Sequence, residues 1–124
     1  MVNTENNKFN EVFRKRTMNL ALQIIQLFQT LKKTEASKIM GRQLLRSATS
    51  VAANFRAACR ARSSAEYYSK MCIVIEECDE TLFWLELFES SGLVQSQLLI
   101  NIKQETFKLL AVFAKTRKSM KTKT

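Results

Sequence analysis

An apolar stripe with helical spacing runs through residues 41–62 and restricts how this part of the chain can fold. Its members recur at alternating intervals of four and three residues, so they lie on one face of a helix. They are Leu44, Ala48, Val51, Phe55 and Ala58. Alanine and serine fill much of the remainder, which suits a slim helix enclosed by others. Because the whole chain has no proline and only two glycines, the sequence predicts an all-α protein.

Three further stretches carry similar stripes, and short polar turns separate them. The predicted helices span about 6–33, 37–60, 64–90 and 96–118. Ser63 and Glu66 have the spacing of a capping box at the start of the third helix. Gly92 suits the left-handed residue that ends it. Gly41, inside the second helix, predicts close approach of a neighbouring helix.

Four helices joined by short turns are typical of an antiparallel up-down-up-down four-helix bundle. We therefore predict a single domain at 6–118. The last residues are basic and have little to bury, so we expect a flexible basic tail at 119–124.

Charge is unevenly distributed along the chain, whose net charge is +9. Residues 8–62 hold twelve bases against two acids, whereas residues 66–89 hold seven acids against one base. The third helix is thus acidic within a basic protein. This segregation favours packing of the acidic helix against basic ones and leaves a basic surplus for a polyanion.

Eight bases are the candidates for contact with nucleic-acid phosphates. They are Arg14, Lys15, Arg16, Arg42, Arg46, Arg56, Arg60 and Arg62. Arginine and lysine bind phosphates in a salt-sensitive, sequence-tolerant way. The alternative is that some of these charges only solvate the surface or pair with the acidic helix, and the sequence does not separate the two roles.

The acidic cluster of the third helix is predicted to be structural. Consecutive helical positions fan out around the axis, so Glu76, Glu77, Asp79 and Glu80 are poorly placed to converge on a metal or a substrate. We expect them to form salt bridges with arginines of the second helix. Ile73 and Trp84 lie on a second face of the same helix and are candidates for an oligomer interface, where aromatic residues are enriched.

Several classes of function are disfavoured by composition. The chain has no histidine, so Glu-x-x-His metal pairs and imidazole-based catalysis are absent. Its three cysteines show no CxxC spacing, and no Gly-rich phosphate loop is present. We therefore predict a non-enzymatic protein without metal or cofactor. Neither a long apolar segment nor a signal core is visible, which predicts a cytoplasmic protein that does not contact the membrane.

Two stretches resemble a known family. QLLRSATSVAANFRAACRAR and the later EECDETLFWLELFESSGLV are similar, in order and spacing, to the two signatures of the small four-helix-bundle proteins named after the intervening sequences of bacterial 23S rRNA genes. The resemblance extends from about residue 10 to 116. It differs at one motif, where many members read Asn, any residue, Ala, Glu, Gly and this chain reads Asn54, Phe55, Arg56, Ala57 and Ala58. A property tied to that glutamate is not expected here.

The resemblance implies a homopentamer with a basic central channel or face. A related branch, the accessory variability determinants of diversity-generating retroelements, associates with a reverse transcriptase and binds nucleic acid. Two functions follow as hypotheses. The first is a homo-oligomeric protein that binds RNA or DNA through a basic surface. The alternative is an interaction scaffold that docks a partner protein such as a reverse transcriptase, without a direct nucleic-acid role.

Overall fold

The computed structural model describes residues 4–122, and the side chains of residues 7–120. It consists of four α-helices: α1 (Thr4–Thr30), α2 (Glu35–Cys59), α3 (Ser64–Ser91) and α4 (Ser96–Thr122). Within the described residues there is no strand. Each helix packs against the next in sequence, and α4 returns to α1. The predicted antiparallel four-helix bundle is therefore confirmed, with α1 and α3 at opposite corners.

The helix ends follow local hydrogen bonding. Thr34 caps α2, because its hydroxyl accepts from the Ser37 N–H at 3.1 Å while the Ser37 hydroxyl accepts from the Thr34 N–H at 2.9 Å. Ser63 caps α3 by accepting from the Glu66 N–H at 3.0 Å. The Glu66 carboxylate, however, accepts from the N–H of Arg62 at 3.3 Å, so only half of the predicted capping box forms.

The predicted helix limits differ from those observed at several ends. α1 begins at Thr4 rather than near residue 6, and it ends at Thr30 rather than near residue 33. Gly92 ends α3 with φ of 74°, as predicted. α4 continues to Thr122, four residues beyond its predicted end. Residues 119–122 are thus helical, residues 123 and 124 lie outside the described part, and the division into a domain and a flexible tail stays a prediction.

The core is a continuous apolar cluster contributed by all four helices. At the end where α1 begins and α2 ends, the rings of Phe9, Phe13, Phe55 and Phe113 contact one another, with centroid separations of 4.5–6.3 Å. These rings join α1, α2 and α4. No described buried side-chain nitrogen or oxygen lacks a hydrogen-bond partner, so the core carries no unpaired polar group.

Small residues bring α2 close to its neighbours. A Cβ atom on Gly41 would lie 2.7 Å from two ring carbons of Phe28, which confirms the close approach predicted at this glycine. On the other side, the buried hydroxyl of Thr81 in α3 donates to Ser47 Oγ in α2 at 2.9 Å. α2 is thereby clamped between α1 and α3, and only its outer face remains open to solvent.

Candidate nucleic-acid interface

Four arginines lie on the outer side of α2 and at its C-cap, Arg60, and we call them the arginine face: Arg42, Arg46, Arg56 and Arg60. All four are exposed and lie on the side of the helix away from its buried stripe. Fourteen residues separate the first members of the two pairs, which corresponds to about 21 Å along the helix axis. The exposed positions between the pairs include the small residues Thr49 and Ala53. The face is therefore a smooth cationic strip.

Arg46 differs from the other three because α3 holds it in place. Its Nη1 lies 3.2 Å from Glu77 Oε1, and its Nη2 pairs with Glu80 Oε2. The same Glu80 oxygen accepts from the indole Nε1 of Trp84 at 3.0 Å. The Trp84 hydrogen bond and then the Arg46 hydrogen bond lower the pKa of Glu80, while the bond to Glu80 raises the pKa of Arg46.

This α2–α3 network is only partly buried. The side chains of Arg46 and Glu80 are 47% and 36% exposed, so we expect each pair to contribute about 0.2–1 kcal/mol rather than the larger energy of a buried pair. Glu77 and Glu80 thus form the salt bridges to α2 that were predicted for the acidic cluster. Glu76 and Asp79 do not, because both are exposed and neither has an ion pair among the described side chains.

The basic cluster of α1, residues 14–16, also contains both paired and unpaired side chains. Arg16 makes a two-pronged pair with Glu105 of α4, at 2.9 and 2.8 Å, and its guanidinium carbon lies 4.8 Å from the centroid of the Phe13 ring. It therefore ties α1 to α4. Lys15 lies 3.4 Å from Glu11 on an exposed surface. Arg14 is exposed and has no ion pair among the described side chains.

Arg14, near the start of α1, lies at the same end of the bundle as Arg56 and Arg60. Burial raises the pKa of the Cys59 thiol, and the positive charges of Arg14 and Arg60 act in the opposite direction. Arg62 follows in the turn after α2, where its exposed side chain lies 4.0 Å from Glu66.

The last turns of α4 add cations that the list of candidate residues did not include. Because adjacent helices are antiparallel, α4 ends where α2 ends, and Arg117 Nη1 donates to Cys72 Sγ of α3 at 3.9 Å. The basic end of the bundle comprises Arg14, Arg56, Arg60, Arg62, Lys115, Arg117 and Lys118. The run of bases after residue 103 was visible in the sequence, but its position at the same end of the bundle as the end of α2 depends on the fold.

Exposed aromatic rings do not accompany these cations. Phe55 is the only aromatic residue of α2, and it is fully buried. The exposed Phe83 and Phe107 belong to α3 and α4. Since base stacking requires an accessible ring, the arginine face is suited to phosphates rather than to unstacked bases.

The residues predicted for an oligomer interface, Ile73 and Trp84, are half-buried. Trp84 packs against the core cluster, and its indole N–H is already bonded to Glu80. Its neighbour Phe83 is the more exposed ring, and the two centroids lie 4.9 Å apart. The interface itself stays a prediction.

Other kinds of site find little support in the described residues. The three cysteines are free thiols, and burial raises the pKa of Cys78 to about 12. No group of three or more Cys, Asp or Glu side chains in the described part is arranged to hold a metal ion. Likewise, none of the described helices combines the length and apolar character needed to cross a membrane.

Comparison with known proteins agrees with this bundle. The sequence model of the 23S rRNA-intervening sequence protein family matches residues 10–115. The chain belongs to this family. A crystal structure of a protein of unknown function, from the S23 ribosomal protein family of Bacteroides thetaiotaomicron, is also similar, with a TM-score of 0.79 and 28% identity over 88% of this chain and 97% of that one.

No curated protein matches the sequence. Membership of the 23S rRNA-intervening sequence protein family confirms the resemblance carried by the two sequence signatures. The relation to the accessory proteins of diversity-generating retroelements stays a prediction.

Proposed function

We propose that this member of the 23S rRNA-intervening sequence protein family is a non-enzymatic homo-oligomer that binds nucleic acid through the arginine face and the adjoining basic end. The observation that carries the proposal is the state of Arg42, Arg56 and Arg60. All three are exposed on one side of a rigid helix and have no ion pair among the described side chains. Guanidinium groups in this state are available to phosphate oxygens.

The character of the face favours nucleic acid over a protein partner. Protein interfaces depend on apolar or aromatic anchors that enter pockets. Between its two arginine pairs, the arginine face offers only small side chains such as Thr49 and Ala53. Phosphate contacts need no such anchor, because affinity comes largely from counterion release. A scaffold role, with a reverse transcriptase or another protein as partner, would require a different surface.

Binding to labelled RNA and DNA, as duplexes and as single strands, can be measured by fluorescence anisotropy over a salt series. We expect affinity to fall steeply with salt for the wild-type protein. Replacement of Arg56 and Arg60 by glutamine should lower the slope of log K against log salt by about 1.8 on duplex DNA, since each neutralised phosphate contributes about 0.9.

A matched control removes two charges elsewhere. Lys32 and Lys108 are exposed, lie outside the arginine face and the basic end, and have no ion pair among the described side chains. Replacing both by glutamine gives the same change in net charge and should leave most of the slope intact. Equal losses in the two double variants would overturn the arginine face as the site. No binding to any of the four ligands at low salt would overturn the nucleic-acid function and leave the scaffold as the alternative.

Self-association belongs to the same proposal and is measured separately. Light scattering on protein freed of nucleic acid gives the mass of the assembly. Five subunits are expected from the family resemblance, and a monomer at micromolar concentration would refute the oligomer.

A further inference from the structure

The arginine face is a straight stripe with cations at both ends and a neutral gap between them. Positions 42, 46, 49, 53, 56 and 60 recur at alternating intervals of four and three residues, so they lie on one side of α2. The Thr49 hydroxyl donates to the carbonyl oxygen of Leu45 in the same helix, at 2.8 Å, and the Ala53 side chain is a methyl group. From Arg46 to Arg56 the axis advances about 15 Å. Over this distance the stripe carries no charge.

Lys38 extends the stripe beyond the four arginines. It lies one turn before Arg42, is exposed and has no ion pair among the described side chains. Arg42 at this end, and Arg56 and Arg60 at the other, are also exposed and unpaired within the described part of the chain. Arg46 differs because two carboxylates of α3 bind it. Each end of the stripe thus has two cations that are available to an anion.

The shape of this surface favours a duplex over a single strand. Proteins hold single strands in cationic grooves that follow the backbone, and aromatic rings there stack on the bases. α2 packs only on α1 and α3, so its outer side is a convex ridge rather than a groove. The one aromatic residue of α2, Phe55, is buried. A duplex needs neither feature, because its phosphates already form two fixed rows along each groove.

The length of the gap matches the major groove of B-form DNA. That groove is about 12 Å wide, whereas the minor groove is about 6 Å wide. The cations that border the gap have backbone positions about 15–21 Å apart, and they reach both edges of the wider groove when their side chains lean inward by a few ångströms. Alanine and threonine methyl groups, such as those of Ala53 and Thr49, also suit the thymine methyl groups in this groove.

An RNA duplex fits the stripe less well. Its major groove is deep and narrow, and proteins recognise it largely through the 2′-hydroxyl groups of the minor groove. The side chains of the gap offer no free donor to these hydroxyls, since Thr49 already donates to Leu45 and Ala53 has no polar atom. The stripe therefore favours DNA.

The neighbouring helices determine how α2 is oriented on the duplex. If α2 lay along the groove, α1 and α3 would each lie against one row of phosphates, about 8–10 Å from the α2 axis. On the α3 side, Glu77 and Glu80 place two carboxylates against the single guanidinium of Arg46, which repels phosphates. If α2 crosses the groove, its two cationic ends meet the phosphates and these carboxylates lie over the opening.

We propose that the arginine face, extended by Lys38, binds double-stranded B-form DNA with α2 across the major groove. Lys38 and Arg42 bind phosphates on one edge of the groove. Arg56 and Arg60 bind phosphates on the other edge. The inference rests on the proposed nucleic-acid function and adds to it the class of nucleic acid and the groove.

The class of ligand is tested by fluorescence anisotropy at one fixed salt concentration. The probes are an A·T-rich DNA duplex of about 21 base pairs, which is two helical turns, an RNA duplex of the corresponding sequence, and one strand of each alone. We expect the DNA duplex to bind about tenfold or more tightly than the other three, because each of them loses the phosphate contacts of at least one end of the stripe.

The groove is tested by competition on the same DNA duplex. Methyl green occupies the major groove and netropsin occupies the minor groove of A·T-rich DNA. We expect methyl green to displace the protein and saturating netropsin to leave it bound.

Two double variants test whether both ends of the stripe bind. One carries Lys38→Gln and Arg42→Gln, and the other carries Arg56→Gln and Arg60→Gln. Each should lower the slope of log K against log salt on duplex DNA by about 1.8. The variant of Lys32 and Lys108 described above is the matched control, and circular dichroism confirms that each variant retains the helical fold.

Three results would overturn the crossing of duplex DNA. They are single strands or an RNA duplex bound as tightly as the DNA duplex, displacement by netropsin but not by methyl green, and a folded double variant at either end whose slope equals that of the wild type. Each of these leaves nucleic-acid binding itself intact. Failure of the proposed function is a different result, in which none of the four probes binds even at low salt.

Discussion

Replacing Gly41 by alanine sets two effects of opposite sign against each other, and the structure predicts which is larger. Alanine at an internal helical position stabilises by about 1 kcal/mol relative to glycine. The new methyl group, however, would lie 2.7 Å from Cδ1 and Cε1 of Phe28 and 3.1 Å from Cδ1 of Leu31. Overpacking of this kind typically costs about 1–3 kcal/mol. The Phe28 ring also lies 4.5 Å from Lys33 Nζ, so moving it disturbs a second contact.

We therefore expect Gly41→Ala to lower the free energy of unfolding by about 1 kcal/mol, the difference between these two terms. Urea denaturation at fixed protein concentration measures the change, since association would otherwise alter the midpoint. In a Phe28→Leu background the clash is relieved, and the same substitution should become stabilising, with a coupling of about 1–2 kcal/mol between the two sites. Ala53→Gly, at an exposed position of the same helix, reports the alanine-to-glycine propensity difference without the clash. A stabilising Gly41→Ala in the wild-type background would refute the close-packing account.

Three other perturbations have defined outcomes. Phe113→Ala empties a fully buried site between two other rings and should cost about 3–5 kcal/mol in denaturant titration; a loss below 1 kcal/mol would contradict this packing. Because Trp84 and Arg46 lower the pKa of Glu80 from its ordinary value of 4.5, the stabilisation by Glu80 is present above that value and is lost as pH falls through the lowered one. Glu80→Gln should destabilise by about 0.5–1 kcal/mol at pH 7 and by less near pH 3, and a pH-independent difference would refute the pairing. The Cys78 thiol, with a pKa of about 12, should resist alkylation at pH 8 until the protein unfolds, and peptide mapping that finds it modified as fast as the two half-buried cysteines would show that it is accessible.

The helices could be predicted because their signals are local. Apolar spacing within α1, α2 and α4 identified most of the buried residues, since each of these stripes faces the bundle axis as one continuous band. α3 was less well predicted. Tyr68 and Leu82 fit an apolar stripe of α3 at helical spacing but are half-buried, whereas Val74, Thr81 and Phe88 lie outside that stripe and are buried. The buried residues of α3 cover a wide arc of the helix, so a single apolar stripe does not describe them.

The partners of the charged residues could not be predicted in detail, because they are distant in sequence. Arg16 and Glu105 are separated by 89 positions, and Arg46 and Glu80 by 34. Arg14 and Arg16 look equivalent in the sequence, yet Arg16 pairs with Glu105 of α4 and Arg14 remains exposed. Their difference comes from helical phase, since residues two positions apart point about 200° apart around the helix axis.

The same rotation of 100° per residue explains how the acidic helix serves two purposes. Glu77 and Glu80 turn toward α2, where Arg46 neutralises them, and this stabilises the helix that carries the arginine face. Asp79 and Glu86 point away from α2 and are exposed to solvent. If all the acids of α3 faced α2, they would offset much of its positive charge and weaken its attraction for phosphates. Because only Glu77 and Glu80 pair with α2, the outer face of α2 remains strongly cationic, while the outer face of the adjacent α3 remains acidic.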